Sequence, residues 1–370
     1  MDPREQQRIE AYLSIIEGRG VIDGRFTNLR RIDPIGGGGT FSLIVTADDL
    51  ITGESVVLKF FHPDRYTPAD SYRWDSFERE SKLLEELGEC RDVIKLVSGQ
   101  SEFLYPVPGI IPFDIRFSFY AMEKASSSLE SELTAGNLST EAMLLVFRGL
   151  TRAIQHTHSK RIAHRDIKPA NIQMTDSGPK LSDFGTARKI SDSIPPISSA
   201  YSWPPGDLTY VAPEMMACLH DVDPGFSFLG DFFSLGATLF EMFTRVQLGV
   251  VLFGPQLLSS LTLPMVTVPR DQRVTIFNRI IGSVVSRYQL PTIESLNPSV
   301  SPCVRQRLNA LYKDLCNLDY RQRLCSFSSV FRGIDTCLLI LRNEARYATW
   351  LEEKRKRRAA RLLRLSGGSR

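Results

Sequence analysis

Residues 162–174 read IAHRDIKPANIQM, and eight positions of that stretch hold His164, Arg165, Asp166, Lys168 and Asn171 beside a single proline. Neither strand nor helix propensity asks for such a cluster. Asp183 follows twelve residues after Asn171. A carboxamide and a carboxylate are hard oxygen donors, which Mg2+ prefers over His or Cys. Upstream, GGGGTFS (36–42) offers a glycine turn. Its backbone N–H groups can approach phosphate because no Cβ intervenes. Alone, such a run is only a flexible turn. With Lys59 downstream in VVLK (56–59), a cation is supplied as well. Groups of these kinds together suit the handling of phosphate, which demands positioning and neutralisation of charge.

HRDIKPAN (164–171), DFG (183–185) and APE (212–214), preceded by the glycine run and VVLK, resemble the eukaryotic-type serine/threonine protein kinase catalytic domain in order and spacing. The resemblance covers about residues 28–340. It implies an α+β, bilobal protein-kinase-like fold with a small β-rich N-lobe and a larger α-helical C-lobe. It further implies transfer of the γ-phosphoryl of ATP, held with Mg2+ (Mn2+ able to substitute), to Ser or Thr hydroxyls of protein substrates.

The resemblance also distributes roles. Lys59 meets the α- and β-phosphates, and Glu80 in FERE holds Lys59. Glu80 shares a helix face with Leu84 and Leu87, so it points coreward, where an unpaired carboxylate is costly. Asp166 accepts or orients the substrate hydroxyl, and Lys168 is the lysine typical of Ser/Thr kinases. Asn171 and Asp183 hold metal. Gly37, Gly38, Gly39, Thr40 and Ile44 belong to the loop over ATP. AMEK (121–124) resembles the hinge, with Met122 as gatekeeper and the backbone of Glu123 to Ala125 meeting adenine. His164 matches a packing residue beside Phe184 rather than a base. Glu214 and Arg323 match a buried ion pair, and Asp231 an anchor for the catalytic-loop backbone.

Two positions depart from the pattern. Ser42 stands at the third glycine, and Gly206-Asp207 stands where the family usually has GT. An Asp there can pair with Lys168 but adds negative charge near Asp166. Arg165 suggests control through a phosphorylated activation loop; a carboxylate such as Asp207 would satisfy it equally. Hydroxyl candidates in that loop are Thr186, Ser191, Ser193, Ser198, Ser199, Ser202 and Thr209. Two other readings stand beside the main one: a nucleotide-binding pseudokinase serving as an interaction scaffold, which Ser42 and Asp207 favour, and a small-molecule kinase, a class that usually lacks the HRDxK and APE pairing.

The elements needed to position these groups are legible in outline. Residues 4–17 have helical apolar spacing, 26–61 and 91–124 read as strands, and DSFERESKLLEELG (75–88) reads as a helix capped by Asp75 and ended by Gly88. YPVPGIIP (105–112) reads as a surface loop between strands. From Ser139 the pattern is mainly helical, including 228–244, 271–286, 302–316 and 326–342, with a Ser/Pro-rich loop over 190–209. The expected division is an N-terminal helical extension (1–25), N-lobe (26–124), C-lobe (125–342) and basic tail (343–370).

With 370 residues, 42% hydrophobic and 24% charged, the composition is that of a globular chain too long for one ordinary core. The longest apolar stretch, Phe226–Leu239, is broken by Asp231 and is short for a membrane span. The charged N-terminus does not resemble a secretory signal. Six cysteines without a CxxC pair suggest free thiols, so a cytoplasmic location is expected. Residues 352–370 carry eight Lys/Arg against two Glu, a charge of +6, whereas the chain totals +3, so residues 1–351 carry −3. That tail is either a solvated end or a basic helix for an acidic partner, nucleic acid or an anionic membrane surface.

Overall fold

The computed structural model describes residues 3–32, 42–63, 71–108, 112–190, 205–254, 261–262, 267–296 and 300–366. The chain divides into two compact units: Met1–Ser131 with His156–His164 and Pro169–Ser202, and Glu132–Gln155 with Arg165–Lys168 and Trp203–Arg370.

The first unit is built on an antiparallel sheet. Its strands are β1 (Val21–Ile22), β2 (Phe26–Arg31), β3 (Ser42–Asp49), β4 (Ser55–Phe61), β5 (Leu96–Val107) and β6 (Phe113–Glu123), in spatial order β1-β2-β3-β4-β6-β5. Period-two alternation gives the sheet two different faces. On one face Val45, Ala47, Val56, Leu58, Phe60, Phe117 and Phe119 form a closed apolar core. Helix α1 (Pro3–Gly18) covers it, sinking Leu13 and Ile16 into the same cluster. The other face carries Ile44, Lys59 and Tyr120 side by side, because Ile44 pairs with Lys59 and Lys59 with Tyr120.

Helix α2 (Ser71–Glu86) lies against that second face, burying Phe77, Glu80, Leu83 and Leu84. It begins four residues before the expected Asp75 cap. Trp74 in this added turn packs edge-on to Phe61, with centroids 5.1 Å apart, and tertiary contact outweighs the capping signal. The expected loop over 105–112 is also shorter than the sequence suggests. β5 runs through Pro106 to Val107, and Pro106 pairs with Asp114. Proline is tolerated there because β5 is the sheet edge. Five short strands complete the unit: β7 (Ser127–Ser128), β8 (Ile162–Ala163), β9 (Ile172–Thr175), β10 (Gly178–Leu181) and β11 (Arg188–Lys189), paired as β10-β9-β7 and β11-β8.

The rest is helical, as the fold class requires. After α3 (Leu129–Ala135) come α4 (Thr140–Ser159), α5 (Pro213–Met216), α6 (Gly225–Thr244), α7 (Leu248–Leu252), α8 (Arg273–Arg287), α9 (Ile293–Leu296), α10 (Pro302–Leu315), α11 (Phe327–Arg342) and α12 (Glu344–Ser366). Helix α6 is long and apolar enough to cross a membrane, yet 83% of its apolar window is buried within the protein, as befits a core helix. It meets α10 closely: a Cβ on Gly236 would lie 2.6 Å from Leu315 Cβ and Cys316 Sγ. The six cysteines are free. Burial pushes the Cys218 and Cys337 thiols up to about 11, which keeps them protonated.

Candidate functional site

In the first unit, Lys59 Nζ donates to Glu80 Oε2 at 2.7 Å and lies 3.5 Å from Asp183 Oδ1. The Glu80 side chain is only 3% exposed and that of Lys59 12%, so the pair is held in low dielectric. Burial works against the charge on Lys59, but Asp183 and Glu80 outweigh it and keep the ammonium protonated. Burial pushes the Glu80 carboxyl up, with Lys59 opposing. Tyr120, fully buried, completes this cluster. Burial, then Glu80, hold its hydroxyl far above the usual phenol range, so it stays protonated. Sequence reasoning missed Tyr120. Its only signal is strand parity, which puts it two residues before Met122 on the face of Lys59.

Asp183 adopts a left-handed backbone, φ +61°, at a cost of about 1–3 kcal/mol for a non-glycine residue. Its neighbours are secured on both sides. Ser182 N–H donates to the Asn171 carbonyl at 2.9 Å, and His164 Nε2 lies 3.0 Å from the Ser182 carbonyl. The His164 ring packs edge-on to Phe184 with centroids 4.8 Å apart. The Gly185 carbonyl accepts from Arg79 Nη2 at 2.8 Å and from Ser76 Oγ. The Asp183 carboxylate remains 47% exposed beside the Lys59 ammonium, with Asn171 tethered to the adjoining residue. This donor set fits a divalent ion whose remaining ligands come from nucleotide phosphate.

In the segment expected as the hinge, the Glu123 N–H donates to the Lys95 carbonyl at 2.9 Å. The Glu123 carboxylate takes Lys180 Nζ at 2.6 and 2.8 Å and the Lys95 N–H at 2.7 Å. Met122 pairs with Val57, which sets both on the Lys59 face with Ile44. Gly37, Gly38, Gly39 and Thr40 lie outside the described residues; Ser42 opens β3, paired with Phe61.

In the second unit, Lys168 Nζ lies 3.1 Å from Asp166 Oδ2 and 3.8 Å from Asp207 Oδ2. Asp207 N–H donates to Asp166 Oδ1 at 2.9 Å, and Asp207 Oδ1 accepts from the Thr209 N–H at 3.0 Å and hydroxyl at 2.7 Å. The preceding glycine is obligatory: Gly206 has φ +88°, and a Cβ would meet the Arg165 carbonyl at 2.3 Å. Arg165, itself at φ +67°, donates its N–H to Asp231 Oδ1 at 2.8 Å. Glu214 and Arg323 form a bidentate pair with both side chains fully buried. Of the loop hydroxyls, Thr209 is held by Asp207, and Thr186 donates to the His164 carbonyl at 3.1 Å. Ser191, Ser193, Ser198, Ser199 and Ser202 lie outside the described residues.

Comparison with known proteins agrees with this geometry. Residues 30–331 match the protein kinase domain family. Mitogen-activated protein kinase 15 of Caenorhabditis elegans is 29% identical over 270 residues, covering 70% of this chain and 51% of that protein. Serine/threonine-protein kinase C of Synechocystis is 30% identical over 224 residues, 58% of this chain and 38% of that protein. Serine/threonine-protein kinase PknA of Nostoc is 30% identical over 239 residues, 61% and 38% respectively. The chain thus spans about half or less of the length of these relatives. With the family match running through β2 to α11 and taking in every motif described above, the chain belongs to the protein kinase domain family.

Proposed function

We propose that the protein is an ATP-dependent protein kinase acting on Ser or Thr hydroxyls of proteins. The observation that carries this is the Lys59 ammonium fixed between the buried Glu80 carboxylate and the half-exposed Asp183 carboxylate. When bound, ATP and its divalent metal supply the γ-phosphoryl group and neutralise its charge. Mg2+ is the natural occupant for Asn171 and Asp183, with Mn2+ able to replace it. Lys59 binds the α- and β-phosphates, Glu80 aims Lys59, Asp166 orients the acceptor hydroxyl and takes its proton, and Lys168 steadies the transferred phosphate. Lys168 beside Asp166 supports Ser/Thr rather than Tyr specificity. We place the protein in the cytoplasm, on the support of its free cysteines, and assign the basic tail to an acidic partner surface.

The test is incubation of the full chain with γ-labelled ATP, Mg2+ and mixed protein acceptors, beside Asp166→Ala and Asp183→Ala. Label on Ser or Thr that falls at least ~1,000-fold in both variants is expected. Equal labelling by Asp166→Ala, or nucleotide binding without any labelled protein, would overturn the catalytic assignment and leave a binding module.

A further inference from the structure

Helix α2 does more than present Glu80. Ser76, Arg79 and Glu80 occupy adjoining positions one helical turn apart, and all three reach into the site of the first unit. Glu80 takes Lys59, while Ser76 Oγ and Arg79 Nη2 both donate to the carbonyl of Gly185. The Arg79 guanidinium is set against the Tyr72 ring, 5.9 Å from its centroid, which limits its freedom. Gly185 lacks a side chain where one would crowd this contact: a Cβ would lie 3.1 Å from Ser76 Oγ, 3.3 Å from Asp183 Oδ1 and 3.7 Å from Glu80 Oε2.

Asp183 needs such restraint, because a left-handed aspartate persists only where its surroundings over-determine it. Upstream it is fixed through Ser182 and Asn171. Downstream the fixed point is the Gly185 carbonyl. We infer that Ser76 and Arg79 are positioning residues that clamp this carbonyl and thereby hold the Asp183 carboxylate in its metal-ready place. They act independently of the Lys59–Glu80 pair. This rests on the assignment of Asp183 as a metal ligand.

The inference separates two quantities that a general loosening of α2 would move together. Lys59 and Glu80 govern nucleotide affinity without metal, whereas the clamp governs how much metal is needed. Binding of a fluorescent ADP analogue to the full chain, titrated with Mg2+ and also measured in EDTA, reads both. For Arg79→Ala and Ser76→Ala, the Mg2+ concentration at half-maximal enhancement is expected to rise about fivefold to tenfold. Affinity in EDTA should stay within twofold, and Arg79→Lys, which keeps one donor, should recover part of the loss. Gly185→Ala, whose Cβ would crowd both Ser76 Oγ and Asp183 Oδ1, should also raise the Mg2+ requirement, and by less on a Ser76→Ala background, since part of the crowding is shared. An unchanged Mg2+ requirement overturns the clamp. So does a parallel fall of affinity in EDTA, which would make Ser76 and Arg79 ordinary supports of α2. Loss of any Mg2+ enhancement in Asp183→Asn is the reference. If that variant keeps the wild-type Mg2+ dependence, the metal-ligand assignment fails, not the clamp alone.

Discussion

At the scale of single residues, the decisive feature is how little separates a useful buried charge from a costly one. Glu80 is carboxylate, buried, and raised above its ordinary value of 4.5 by desolvation, with Lys59 opposing. For an acid with a raised folded pKa, the stability it contributes is full below about 4.5 and lost as pH rises through the raised value. On the proposed function, nucleotide binding is therefore expected to weaken on the acid side at a higher pH than an exposed glutamate would give. The Tyr120 hydroxyl lies buried in the same cluster and, as the smallest of the contributions, favours the Glu80 carboxylate. Tyr120→Phe should move the acid limb of kcat/KM for ATP to higher pH, with a thermal midpoint within a few degrees of wild type. Matched pH profiles of the two proteins check it, and superimposable limbs would remove Tyr120 from the cluster. Asp207 shows the same economy. It departs from the family's Thr, yet its backbone N–H still reaches Asp166 and its carboxylate still stands beside Lys168.

At the scale of elements, α1 and α2 divide the labour on the two faces of one sheet. Helix α1 closes the apolar face, and Ile16 in it is fully buried. Ile16→Ala should cost about 2–5 kcal/mol, read as a lower urea midpoint at unchanged slope. A value near zero would show that α1 is not part of the core. The end of the sheet where β2 begins and β3 finishes is secured by charge instead. Arg25 makes two 2.7 Å contacts with Asp49, whose side chain is fully buried. Arg25 holds the Asp49 carboxyl well below its ordinary 3.8. For an acid with a depressed pKa, the stabilisation is present above about pH 3.8 and is lost as pH falls through the depressed value. Arg25→Met should be most destabilising at pH 7 and progressively less so toward pH 3, by urea midpoints at both. A constant deficit would assign the loss to packing against Phe26, over which the guanidinium sits at 5.0 Å.

At the scale of the whole molecule, charge is segregated along the chain. The tail supplies +6 and residues 1–351 supply −3. The tail is helical through Ser366, and its described part is laced by Lys356–Glu352 at 2.8 Å and Arg357–Glu353 at 3.6 Å, with Lys354 Nζ 4.9 Å over the Trp350 ring. Such exposed pairs contribute little to stability. Truncation after residue 351 should leave the thermal midpoint and autophosphorylation nearly unchanged, while sharply lowering the salt needed to elute the protein from heparin. Lost activity would make the tail part of the catalytic domain. Identical elution would show that its charge is not available to an acidic surface.

Motifs are local, and so the sequence alone determined the family, the order of strands and helices, and the identities of Lys59, Asp166, Asn171 and Asp183 as candidates. Period two and period 3.6 also marked which side of α2 faces inward, because side-chain direction follows from backbone geometry within a few residues. Boundaries were less legible. The start of α2 and the passage of β5 through Pro106 depend on Phe61 and on an edge position, neither of which a local pattern contains. Tertiary structure decided the rest: Tyr120 opposite Lys59, the use of the Glu123 N–H by Lys95, Asp207 beside Lys168, and the Gly185 carbonyl held by Ser76 and Arg79. Each joins residues separated by 28 to more than 100 positions. Hydrogen bonds and burial act through space, and distances across the fold are set only once the sheet register and helix docking are in place.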